Sequence, residues 1–420
     1  MSKQIYLVGG AVRDQMMGLK AHDHDYVVVG SSVEEMLAEG YTQVGASFPV
    51  FLHPETGDEY ALARTERKNG SGYTGFEVET TGVTLKDDLA RRDLTINAIA
   101  MDDADGNIHD PFNGLTDLED KVLRHVTDAF KEDPLRILRV ARFAAKLKGF
   151  TIHPDTVAMC KELGQTQEFK DISAERVGME LMKVLETSSK PSTFFYALDL
   201  FECLDVHFPE IAALRGQTQP EKWHPEGDAF VHTMEVLDRA AEGTTSVLTR
   251  YSALVHDLGK GLTPKEKLPA HHGHELAGVP VVRQMSDRLS LGTVMREFGA
   301  VAAALHGLCH NVRTLKYSTI VKIYEEWGRN VTALQQVGEV AKYDSMGRGP
   351  YNALKPYDNE GYWNDIFDVV SNMKARDVLP IIGLKEGIYT PEYIQTTLRD
   401  GRIKAVERYR KEVEAIAKSQ

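Results

Sequence analysis

The chain of 420 residues contains only three cysteines, and they are far apart in the sequence: Cys160, Cys203 and Cys309. An odd number of widely spaced cysteines excludes a disulfide framework and a CxxC metal site, and it favours reduced thiols in the cytoplasm. Long hydrophobic runs are also missing, since no apolar stretch approaches the roughly 20 residues that span a bilayer. The apolar segment 5–8 is too short for a signal peptide, and no cleavage site follows it. These absences predict a soluble cytoplasmic protein.

Positive charge is also scarce, because 49 Lys and Arg residues stand against 62 Asp and Glu residues, for a formal net charge of −13. This balance alone argues against a nucleic-acid partner, which usually selects a basic surface. A local basic stripe can nevertheless serve such a partner. One is present at residues 131–148, where six basic residues stand against two acidic ones. The length of the chain is sufficient for two to four domains.

Residues 1–30 predict the order strand, helix, strand. The segment "IYLV" is typical of a short buried strand, "AVRDQMMG" of a short helix and "YVVVG" of a β-branched strand. "FPVFLH" and "EYALART" predict two more strands, and the glycine-rich "KNGSGYTGFE" predicts a flexible loop. From about Asp117 helical periodicity takes over, in "DPLRILRVARFAAKL", "SAERVGMELMKVLE" and "STFFYALDLFECL". The prediction is an α+β protein with a small mixed α/β head and a long, mostly helical body.

Two aspartates stand directly before the strand "YVVVG". Because side chains alternate along a strand, we expect Asp23 and Asp25 on one face and His22 and His24 on the other. Two carboxylates a few ångströms apart repel each other unless a cation lies between them. Mg²⁺ suits such a pair, since it binds one or two carboxylates together with substrate phosphates. A lone D-x-D is more often a solvated turn, so the interpretation depends on the residues around it.

A phosphate-binding pattern lies upstream, where Gly9 and Gly10 follow an apolar run and precede Arg13. Glycine permits close approach of the backbone, and the N–H groups at a helix start attract phosphate. Arg13, in the first helical turn, could reach the same anion. Two glycines alone also fit a plain tight turn. Their combination with the D-x-D pair within 16 residues predicts a phosphate cradle joined to a metal clamp.

The sequence resembles the class II tRNA nucleotidyltransferases, which comprise the CCA-adding enzymes and their poly(A) polymerase relatives. "LVGGAVRD…DHD", "RRDLTINAIA" and "DPFNGLTDL" resemble the family's head motifs, "EDPLRILRVARFA" its nucleotide-selecting motif and "ISAERVGMEL" its neck motif. "WHPEGDAFVHTM", "HDLGKGLTP" and "HHGHE" resemble the bacterial CCA-adding enzymes that carry an HD phosphohydrolase domain. The resemblance implies a polymerase-β-like nucleotidyltransferase head at residues 1–116, a nucleotide-selecting neck at 117–190, an HD body at 191–330 and a helical tail contacting tRNA at 331–420.

Arginines recur every three residues in the nucleotide-selecting motif. A helix would put Arg136, Arg139 and Arg142 on one side and the apolar residues on another, which a solvated amphipathic helix would also do. Arginine can bind phosphate through two hydrogen bonds or present two donors to a base edge, and Asp133 accepts hydrogen bonds. The resemblance implies that Asp133 and Arg136 select CTP or ATP without a nucleic-acid template. It also implies that Arg139 and Arg142 help to hold the nucleotide.

The resemblance assigns further nucleotide contacts to the head, from Gly10, Arg13 and Arg92. Asp93 is expected to be structural and to pair with an arginine. Glu59, in "DEYALAR", is the nearby strand candidate for a third carboxylate, although a weak one.

The implied chemistry of the head is two-metal nucleotidyl transfer. Asp23 and Asp25 would hold Mg²⁺, one ion activating the tRNA 3′-hydroxyl and the other steadying the leaving pyrophosphate. C, C and A would be added in order to the tRNA from CTP and ATP.

A second chemistry is indicated where the apolar helix "YSALV" ends in His256 and Asp257. Neutral imidazole suits Ni²⁺, Zn²⁺, Co²⁺ or Mn²⁺, and mixed His/Asp sites often hold metals that activate water. Any single histidine could equally be a core or surface residue, but several more are available: His232, His271, His272, His274 and His306. We predict Ni²⁺ or another divalent transition metal on His232, His256, Asp257 and His272. The final aspartate of the usual HD pattern is not identifiable in the sequence.

The resemblance implies that this HD site has 2′,3′-cyclic phosphodiesterase, 2′-nucleotidase and phosphatase activity, which would suit repair of tRNA ends. Two alternatives stay open. A poly(A) polymerase shares the head but is expected to lack "HDLGKG" and to carry a basic C-terminal extension, whereas this tail is only mildly basic. An inactive head that only binds tRNA beside a working hydrolase is disfavoured by the intact Asp23, Asp25, Arg13 and Arg92. The head motifs leave open a CC-adding or an A-adding enzyme, and a monomer or a homodimer.

Overall fold

The computed structural model describes residues 3–20, 24–44, 50–68, 76–328, 330–349 and 355–419. The chain divides into two compact units, Met1–His207 and Phe208–Gln420. Within the described ranges every strand belongs to the first unit, and the second unit is built from helices. The predicted mixed head and helical body are therefore confirmed. The finer division into four domains stays a prediction.

The first unit is built on a seven-stranded mixed sheet. Its strands are β1 (Gln4–Val8), β2 (Asp25–Val29), β3 (Thr42–Val44), β4 (Val50–Leu52), β5 (Glu59–Leu62), β8 (Ala100–Asp102) and β9 (Ile108–His109). They lie in the order β3-β4-β5-β2-β1-β8-β9, with β2 and β5 parallel and all other neighbours antiparallel. The strands predicted from "IYLV" and "YVVVG" are confirmed as the two central ones.

Four further strands form two small sheets. β6 (Thr65–Lys68) and β7 (Phe76–Glu79) are antiparallel, while β10 (Val122–Leu123) and β11 (Thr151–Ile152) are parallel. Most of the predicted loop "KNGSGYTGFE" lies outside the described residues, and its two ends belong to the paired strands β6 and β7. The strands after Asp110 have only two residues each, which is too short for sequence periodicity to reveal.

The described helices of the first unit include the four that the sequence predicts. In chain order the helices are α1 (Gly10–Met16), α2 (Val33–Ala38), α3 (Leu85–Ala90), α4 (Gly114–Glu119), α5 (Leu135–Lys146), α6 (Pro154–Gly164), α7 (Gln167–Lys170), α8 (Ala174–Thr187), α9 (Ser192–Leu200) and α10 (Leu204–His207). The four predicted helices are α1, α5, α8 and α9. Helix α5 carries the nucleotide-selecting motif and packs against α8 and α9. Arg136 and Arg142 are buried along with its apolar residues, so α5 is not a solvated amphipathic helix.

Alternation along β2 sorts its side chains onto two faces of the sheet. Val27 and Val29 pack with Val8 and with Leu89 of α3, whereas Val28 belongs to the core on the opposite face. Asp25, two residues before Val27, therefore points to the face that α3 covers.

The second unit consists of a helical core and a helical tail. Its described helices are α11 (Pro209–Ala212), α12 (Ala229–Gly243), α13 (Val247–Val255), α14 (His274–Arg288), α15 (Gly292–His310), α16 (Tyr317–Trp327), α17 (Val331–Met346), α18 (Asn359–Asn372), α19 (Ile381–Lys385) and α20 (Pro391–Ser419). Helices α12, α13 and α17 pack against one another, and α15 packs on α13, α14 and α17. Each helix of the described ranges is too short or too polar to cross a membrane.

Candidate active sites of the head and of the helical unit

The acidic site of the head lies at one end of the central strands. Asp23 is outside the described residues, whereas Asp25 begins β2 and is exposed. The ladders place Asp25 beside Val8 of β1 and beside Glu59 of β5, which is also exposed. Residues in register on neighbouring strands point to the same face, so the carboxylates of Asp25 and Glu59 project together. Such oxygens are suitable ligands for Mg²⁺.

The glycine turn begins directly after the strand residue that pairs with Asp25. Gly9 has φ of 70°, and a Cβ atom built on it would lie 2.9 Å from a terminal nitrogen of Arg92. Glycine is therefore required both for the backbone conformation and for the close approach of the guanidinium group. Helix α1 starts at Gly10, next to this group. The turn, Arg92 and Asp25 thus lie at the same end of the sheet.

Buried ion pairs hold the arginines around this turn. Arg92 contacts the Asp88 carboxylate at 3.3 Å, and Arg91 contacts it at 2.6 Å. Although burial alone would raise the pKa of Asp88, the two arginines hold it below its usual value. Asp88 is therefore ionised and fixes both guanidinium groups.

Arg13 belongs to a buried chain of polar contacts that links α1 to α5. Its terminal nitrogen donates to Oδ1 of Asn97 at 2.6 Å, and Asn97 donates to Oδ1 of Asp93 at 3.0 Å. Arg139 completes the chain through an ion pair of 2.7 Å with Oδ2 of Asp93. The predicted pairing of Asp93 with an arginine is confirmed. Burial would raise the pKa of Asp93, but Arg139 and Asn97 keep it well below its usual range.

The other predicted nucleotide contacts on and before α5 are also engaged within the protein. Arg136 donates to the carbonyl oxygens of Ala129 and Arg91, at 2.6 and 2.5 Å. Arg142 pairs with the buried Glu180 at 2.6 Å. A nucleotide could bind these arginines only by sharing or exchanging such partners.

Asp133 lies just before α5 and is partly accessible. Its Oδ2 atom pairs with Arg176 at 2.8 Å, and its Oδ1 atom accepts the N–H of Leu135. Its side chain is 25% exposed, so an external hydrogen-bond donor could reach the carboxylate that Arg176 contacts.

The packed helices of the second unit bring a set of metal-binding residue types to one buried point. His232 lies on α12, His306 on α15 and Asp344 on α17. His256 caps the C-terminus of α13, and Asp257 starts the turn that follows. All five are buried. The sequence changes abruptly from the apolar helix α13 to the polar pair His256 and Asp257. At this point the chain turns inside the core.

Gly259 allows this turn to pack against α14. A Cβ atom there would lie 1.9 Å from the carbonyl oxygen of His274 and 2.7 Å from the amide nitrogen of Gly278. Only glycine lets the backbone approach α14 this closely. The contact brings the first residue of α14, His274, to the carboxylate of Asp257.

Two histidines and a lysine lie close to one oxygen of Asp257, its Oδ2 atom. The Nε2 atoms of His256 and His232 lie 3.2 and 3.6 Å from Oδ2 of Asp257. Asp344 closes this group, because its Oδ1 atom lies 2.9 Å from Nε2 of His232. Lys260 also reaches Oδ2 of Asp257, at 2.5 Å, and it donates to Gln219.

Two more histidines approach the other oxygen of Asp257. The Nε2 atoms of His274 and His306 lie 3.1 and 3.4 Å from Oδ1. His272 was predicted as a ligand, but the structure leaves it exposed and does not bring it to this cluster. Because α14 begins at His274, the helix start directs His274 inward and leaves His272 in the preceding turn.

The second nitrogen of each imidazole faces an acceptor. The Nδ1 atoms of His256, His274 and His306 lie 2.7, 2.8 and 3.1 Å from backbone carbonyl oxygens. The Nδ1 atom of His232 lies 2.7 Å from a carboxylate oxygen of Glu226. These acceptors favour the tautomer with the proton on Nδ1, so each Nε2 atom presents a lone pair to the aspartates.

The cluster therefore brings several hydrogen-bond acceptor atoms close together with no donor between them. Nε2 of His232, His256 and His274 and Oδ1 of Asp257 are buried and make no hydrogen bond within the described parts of the chain. Burial would lower the pKa of His232, but Asp344 and Glu226 raise it above its usual value, so the position attracts positive charge. A divalent transition metal fits this donor set of imidazoles and carboxylates.

Asp344 is a candidate site residue that the sequence analysis missed. Its Oδ2 atom contacts His310 at 2.6 Å and Arg348 at 2.8 Å, while its Oδ1 atom faces the cluster. Its position could have been found, because Val337, Ala341 and Asp344 follow helical spacing along the buried face of α17. A single aspartate on an otherwise apolar face indicates a buried partner.

Family models match three successive parts of the chain. Residues 5–124 match the poly A polymerase head domain, residues 149–214 match the probable RNA and SrmB-binding site of polymerase A, and residues 229–334 match the HD domain. Together these regions define a nucleotidyltransferase with an attached HD domain.

Solved CCA-adding enzymes have the same fold. One solved with ATP is 20% identical, with a TM-score of 0.61 over 96% of this chain and 86% of that one. One solved with CTP is 22% identical, with a TM-score of 0.60 over 100% and 92%. The Thermotoga maritima CCA-adding enzyme complexed with tRNA(CCA) is 20% identical, with a TM-score of 0.60 over 99% and 92%. The resemblance to HD-bearing CCA-adding enzymes is confirmed in domain content and fold, because the chain matches a poly A polymerase head domain and an HD domain and has the fold of solved CCA-adding enzymes.

Proposed function

We propose that the head adds C, C and A in order to the 3′ end of tRNA from CTP and ATP, without a nucleic-acid template, and releases pyrophosphate. The observation that carries this proposal is the register of β1 and β2, which brings Asp25 to the end of β1 where the Gly9 turn and Arg92 lie. A carboxylate and a phosphate-binding turn at one point are what nucleotidyl transfer needs. Relatives of this fold solved with ATP, CTP and tRNA(CCA) support the choice of substrates.

Asp23 and Asp25 would hold Mg²⁺, which when bound lowers the barrier for attack by a hydroxyl group and neutralises charge on the leaving pyrophosphate. The chain's own residues bind and orient the nucleotide. The N–H groups of Gly10 and its neighbours would donate hydrogen bonds to the triphosphate together with Arg92, whose position is fixed by Asp88. Arg13, held by Asn97, would support the start of α1.

We propose that Asp133 and Arg136 read the edge of the incoming base. Two carbonyl oxygens already orient the guanidinium group of Arg136, which would share or exchange these partners to contact the base. Asp133 would release Arg176 and accept a hydrogen bond from the base instead. Arg139 and Arg142, paired with Asp93 and Glu180, would hold α5 in place for this reading.

We propose a metal-dependent phosphohydrolase activity for the HD unit, directed at 2′,3′-cyclic phosphates, 2′-nucleotides and other terminal phosphates of tRNA. His232, His256, Asp257 and Asp344 would hold Ni²⁺ or a similar ion, which when bound supplies a water molecule of lowered pKa at neutral pH. The buried Lys260, next to Asp257, would attract the phosphate. Removal of damaged terminal phosphates would prepare a tRNA end for the head.

We also propose that the protein works in the reducing cytoplasm as a monomer or homodimer, with the four domains predicted from the sequence. All three cysteines are free and buried, and burial raises the pKa of the Cys203 and Cys309 thiols to about 12. Thiols of this kind are protonated and unreactive at neutral pH.

The head proposal is tested with tRNA lacking its 3′-terminal CCA and with labelled CTP and ATP, added singly and together. Two C residues from CTP alone, followed by one A when ATP is added, support it. Growth of a polymer of A residues would identify a poly(A) polymerase. Incorporation of C alone would identify a CC-adding enzyme, and incorporation of a single A alone would identify an A-adding enzyme.

The HD proposal is tested with a tRNA that ends in a 2′,3′-cyclic phosphate, in the presence of Ni²⁺ or Mg²⁺. His256→Ala should abolish hydrolysis and leave nucleotide addition at the parent rate. Loss of both activities would contradict the assignment of two separate sites.

A further inference from the structure

We propose that residues 219–226, here named the recognition segment, bind the RNA end that the HD site acts on. In this proposal Trp223 stacks on the terminal nucleobase, and the amide group of Gln219 donates a hydrogen bond to the phosphate. The inference rests on the phosphohydrolase activity proposed for the HD unit and deepens it, because it assigns the residues that select a nucleotide over other phosphate esters. The whole segment lies in the second unit.

Both ends of the recognition segment are attached to the histidine and aspartate cluster. At one end, Oε1 of Gln219 accepts a hydrogen bond of 2.6 Å from Lys260, which also donates to Asp257. At the other end, a carboxylate oxygen of Glu226 lies 2.7 Å from Nδ1 of His232. The segment is therefore held directly beside the cluster.

Between these two ends the chain makes a tight turn that carries Trp223. The amide of Trp223 donates to the carbonyl oxygen of Pro220 at 3.0 Å, and such a turn keeps its first and fourth Cα atoms within about 7 Å. The next residue, His224, packs its ring edge-on against the ring of His232, with the ring centroids 4.8 Å apart. The backbone of Trp223 is thus fixed one residue away from a side chain that packs on the cluster.

The Trp223 side chain is exposed, although it is a large aromatic group on a fixed turn. Its exposed fraction is 59%, whereas Trp363 is fully buried. The ammonium group of Lys222 lies 4.7 Å from the centre of the Trp223 ring. Nucleobases stack on exposed aromatic rings of this kind, and a neighbouring cation attracts the phosphates of the strand. An exposed indole ring beside a cluster suited to phosphate chemistry therefore favours a nucleotide as the ligand.

A buried hydrogen-bond donor without an acceptor lies at the start of the same segment. Gln219 is only 5% exposed, and its amide oxygen must face Lys260, because a lysine ammonium group can only donate. The Nε2 atom of Gln219 is buried and makes no hydrogen bond within the described parts of the chain. A buried donor that stays unpaired is unfavourable, which indicates that this atom meets an acceptor when a ligand binds. A phosphate oxygen is such an acceptor, and the neighbouring positive charge of Lys260 favours an anion.

The two contacts fit a single terminal nucleotide. Because Pro220 directly follows Gln219, the turn keeps the Cα atoms of Gln219 and Trp223 within about 11 Å of each other. In a 2′-phosphate or a 2′,3′-cyclic phosphate, the phosphate and the base are attached to neighbouring carbons of one ribose ring. Every base has a face that can stack, so the segment would accept any terminal base.

The test compares the hydrolysis of adenosine 2′,3′-cyclic phosphate with that of glycerol 1,2-cyclic phosphate, which has the same cyclic ester and no base. Trp223→Ala should raise KM for the adenosine substrate about 10-fold, with unchanged kcat. It should leave kcat/KM for the glycerol substrate at the parent value. Trp223→Phe keeps an aromatic face and should restore the parent KM. Tyr393→Ala on α20, an exposed aromatic residue outside the described contacts of the cluster, is the control and should match the parent.

Two further measurements examine the two contacts separately. Rapid mixing with adenosine 2′,3′-cyclic phosphate should quench the tryptophan fluorescence of the parent before hydrolysis, and Trp223→Phe should abolish this quenching while it keeps the activity. Gln219→Glu retains an acceptor for Lys260 but replaces the free donor by a negative charge. It should lower kcat/KM for both substrates by about 10-fold or more.

An unchanged KM of Trp223→Ala for the adenosine substrate would overturn the proposal and would favour a docking role of Trp223 for another protein. An equal loss on both substrates would also overturn it, since the base-free substrate reports on the integrity of the site in each variant. A parent that hydrolyses neither cyclic phosphate would contradict the HD activity itself. The fluorescence quenching would then still decide whether Trp223 binds the base.

Discussion

Nε2 of His232 lies 2.9 Å from Oδ1 of Asp344, although one residue belongs to α12 and the other to α17. Both side chains are buried, and Asp344 is fixed from behind by His310 and Arg348. This contact closes the histidine and aspartate cluster that the helices of the second unit build. The cluster therefore extends beyond residues 229–334, which match the HD domain, to the C-terminal part of α17.

Asp344→Asn should greatly weaken metal binding while preserving the shape of the side chain. The amide lacks the negative charge that binds a cation next to His232, so we expect a loss of Ni²⁺ affinity of at least about 100-fold. Competition with a chromophoric chelator measures this affinity. Asp365→Asn on α18 is a matched control, because Asp365 lies outside the cluster and contacts Tyr409. Equal metal affinity in Asp344→Asn and the parent protein would contradict the role of Asp344.

Tyr357→Phe should weaken the metal site from a distance. The Tyr357 hydroxyl lies 2.9 Å from Nδ1 of His310, whose Nε2 atom holds Asp344. Removal of the hydroxyl loosens the orientation of His310, and we expect a decrease in metal affinity of about 10-fold. Isothermal titration with Ni²⁺ measures the change, with Tyr389→Phe as the control because Tyr389 stacks on Tyr393 and is not among the described contacts of the cluster. A larger loss in the control than in Tyr357→Phe would refute this orienting role.

Gly9→Ala and Gly10→Ala should have very different effects on nucleotide addition. An alanine at position 9 must adopt φ of 70° and would place its Cβ 2.9 Å from Arg92. The strained backbone and a shift of that guanidinium by about half an ångström are together expected to reduce kcat/KM for CTP by about 10- to 100-fold. At position 10 the Cβ would be 3.5 Å from Arg13, an ordinary contact, and the backbone N–H is retained. Similar kcat/KM values for the two variants would contradict the model of a tight turn beside Arg92.

Asp93→Asn should destabilise the first unit in a pH-dependent way. The folded-state pKa of Asp93 lies below its unfolded value, so its ion pair with Arg139 stabilises the fold above about pH 4, the ordinary pKa of aspartate. This contribution is lost as pH falls through the folded-state pKa. We expect Asp93→Asn to cost about 1.5 to 3 kcal/mol at pH 7, and the difference from the parent should shrink below about pH 4.

Differential scanning calorimetry between pH 7 and pH 3 measures this difference. Glu162→Gln is the matched control, because Glu162 pairs with Lys131 on the surface and both side chains are well exposed. Exposed pairs contribute about 0 to 1 kcal/mol, so the control should be almost unchanged at every pH. A destabilisation by Asp93→Asn that stayed constant down to pH 3 would show that the ion pair is not its source.

Local patterns were sufficient to predict much of the fold. The apolar run before Gly9 and the β-branched run after Asp25 identified the two central strands, and the helical spacing around Arg139 identified α5. Local patterns could not identify the residues that each side chain contacts. The three arginines of α5 appeared able to face a nucleotide, yet Arg142 meets Glu180 from a different helix, a contact that depends on tertiary packing.

The HD cluster shows the same limit. His256 and Asp257 were identified because they interrupt an apolar helix, which is a local feature. His274 and His272 are only two residues apart, so the choice between them depends on where α14 begins and on the close approach of Gly259. Helical spacing along α17 could have marked Asp344 as buried, but its contact with His232 of α12 depends on how the helices pack.

The most direct test of the central claim uses tRNA without its CCA end, labelled CTP and ATP, and the Asp23→Ala/Asp25→Ala variant beside His256→Ala. We expect ordered addition of two C and one A by the parent and by His256→Ala, and no incorporation by the double aspartate variant. Undiminished incorporation by the double variant would contradict the assignment of nucleotide addition to the acidic end of β2.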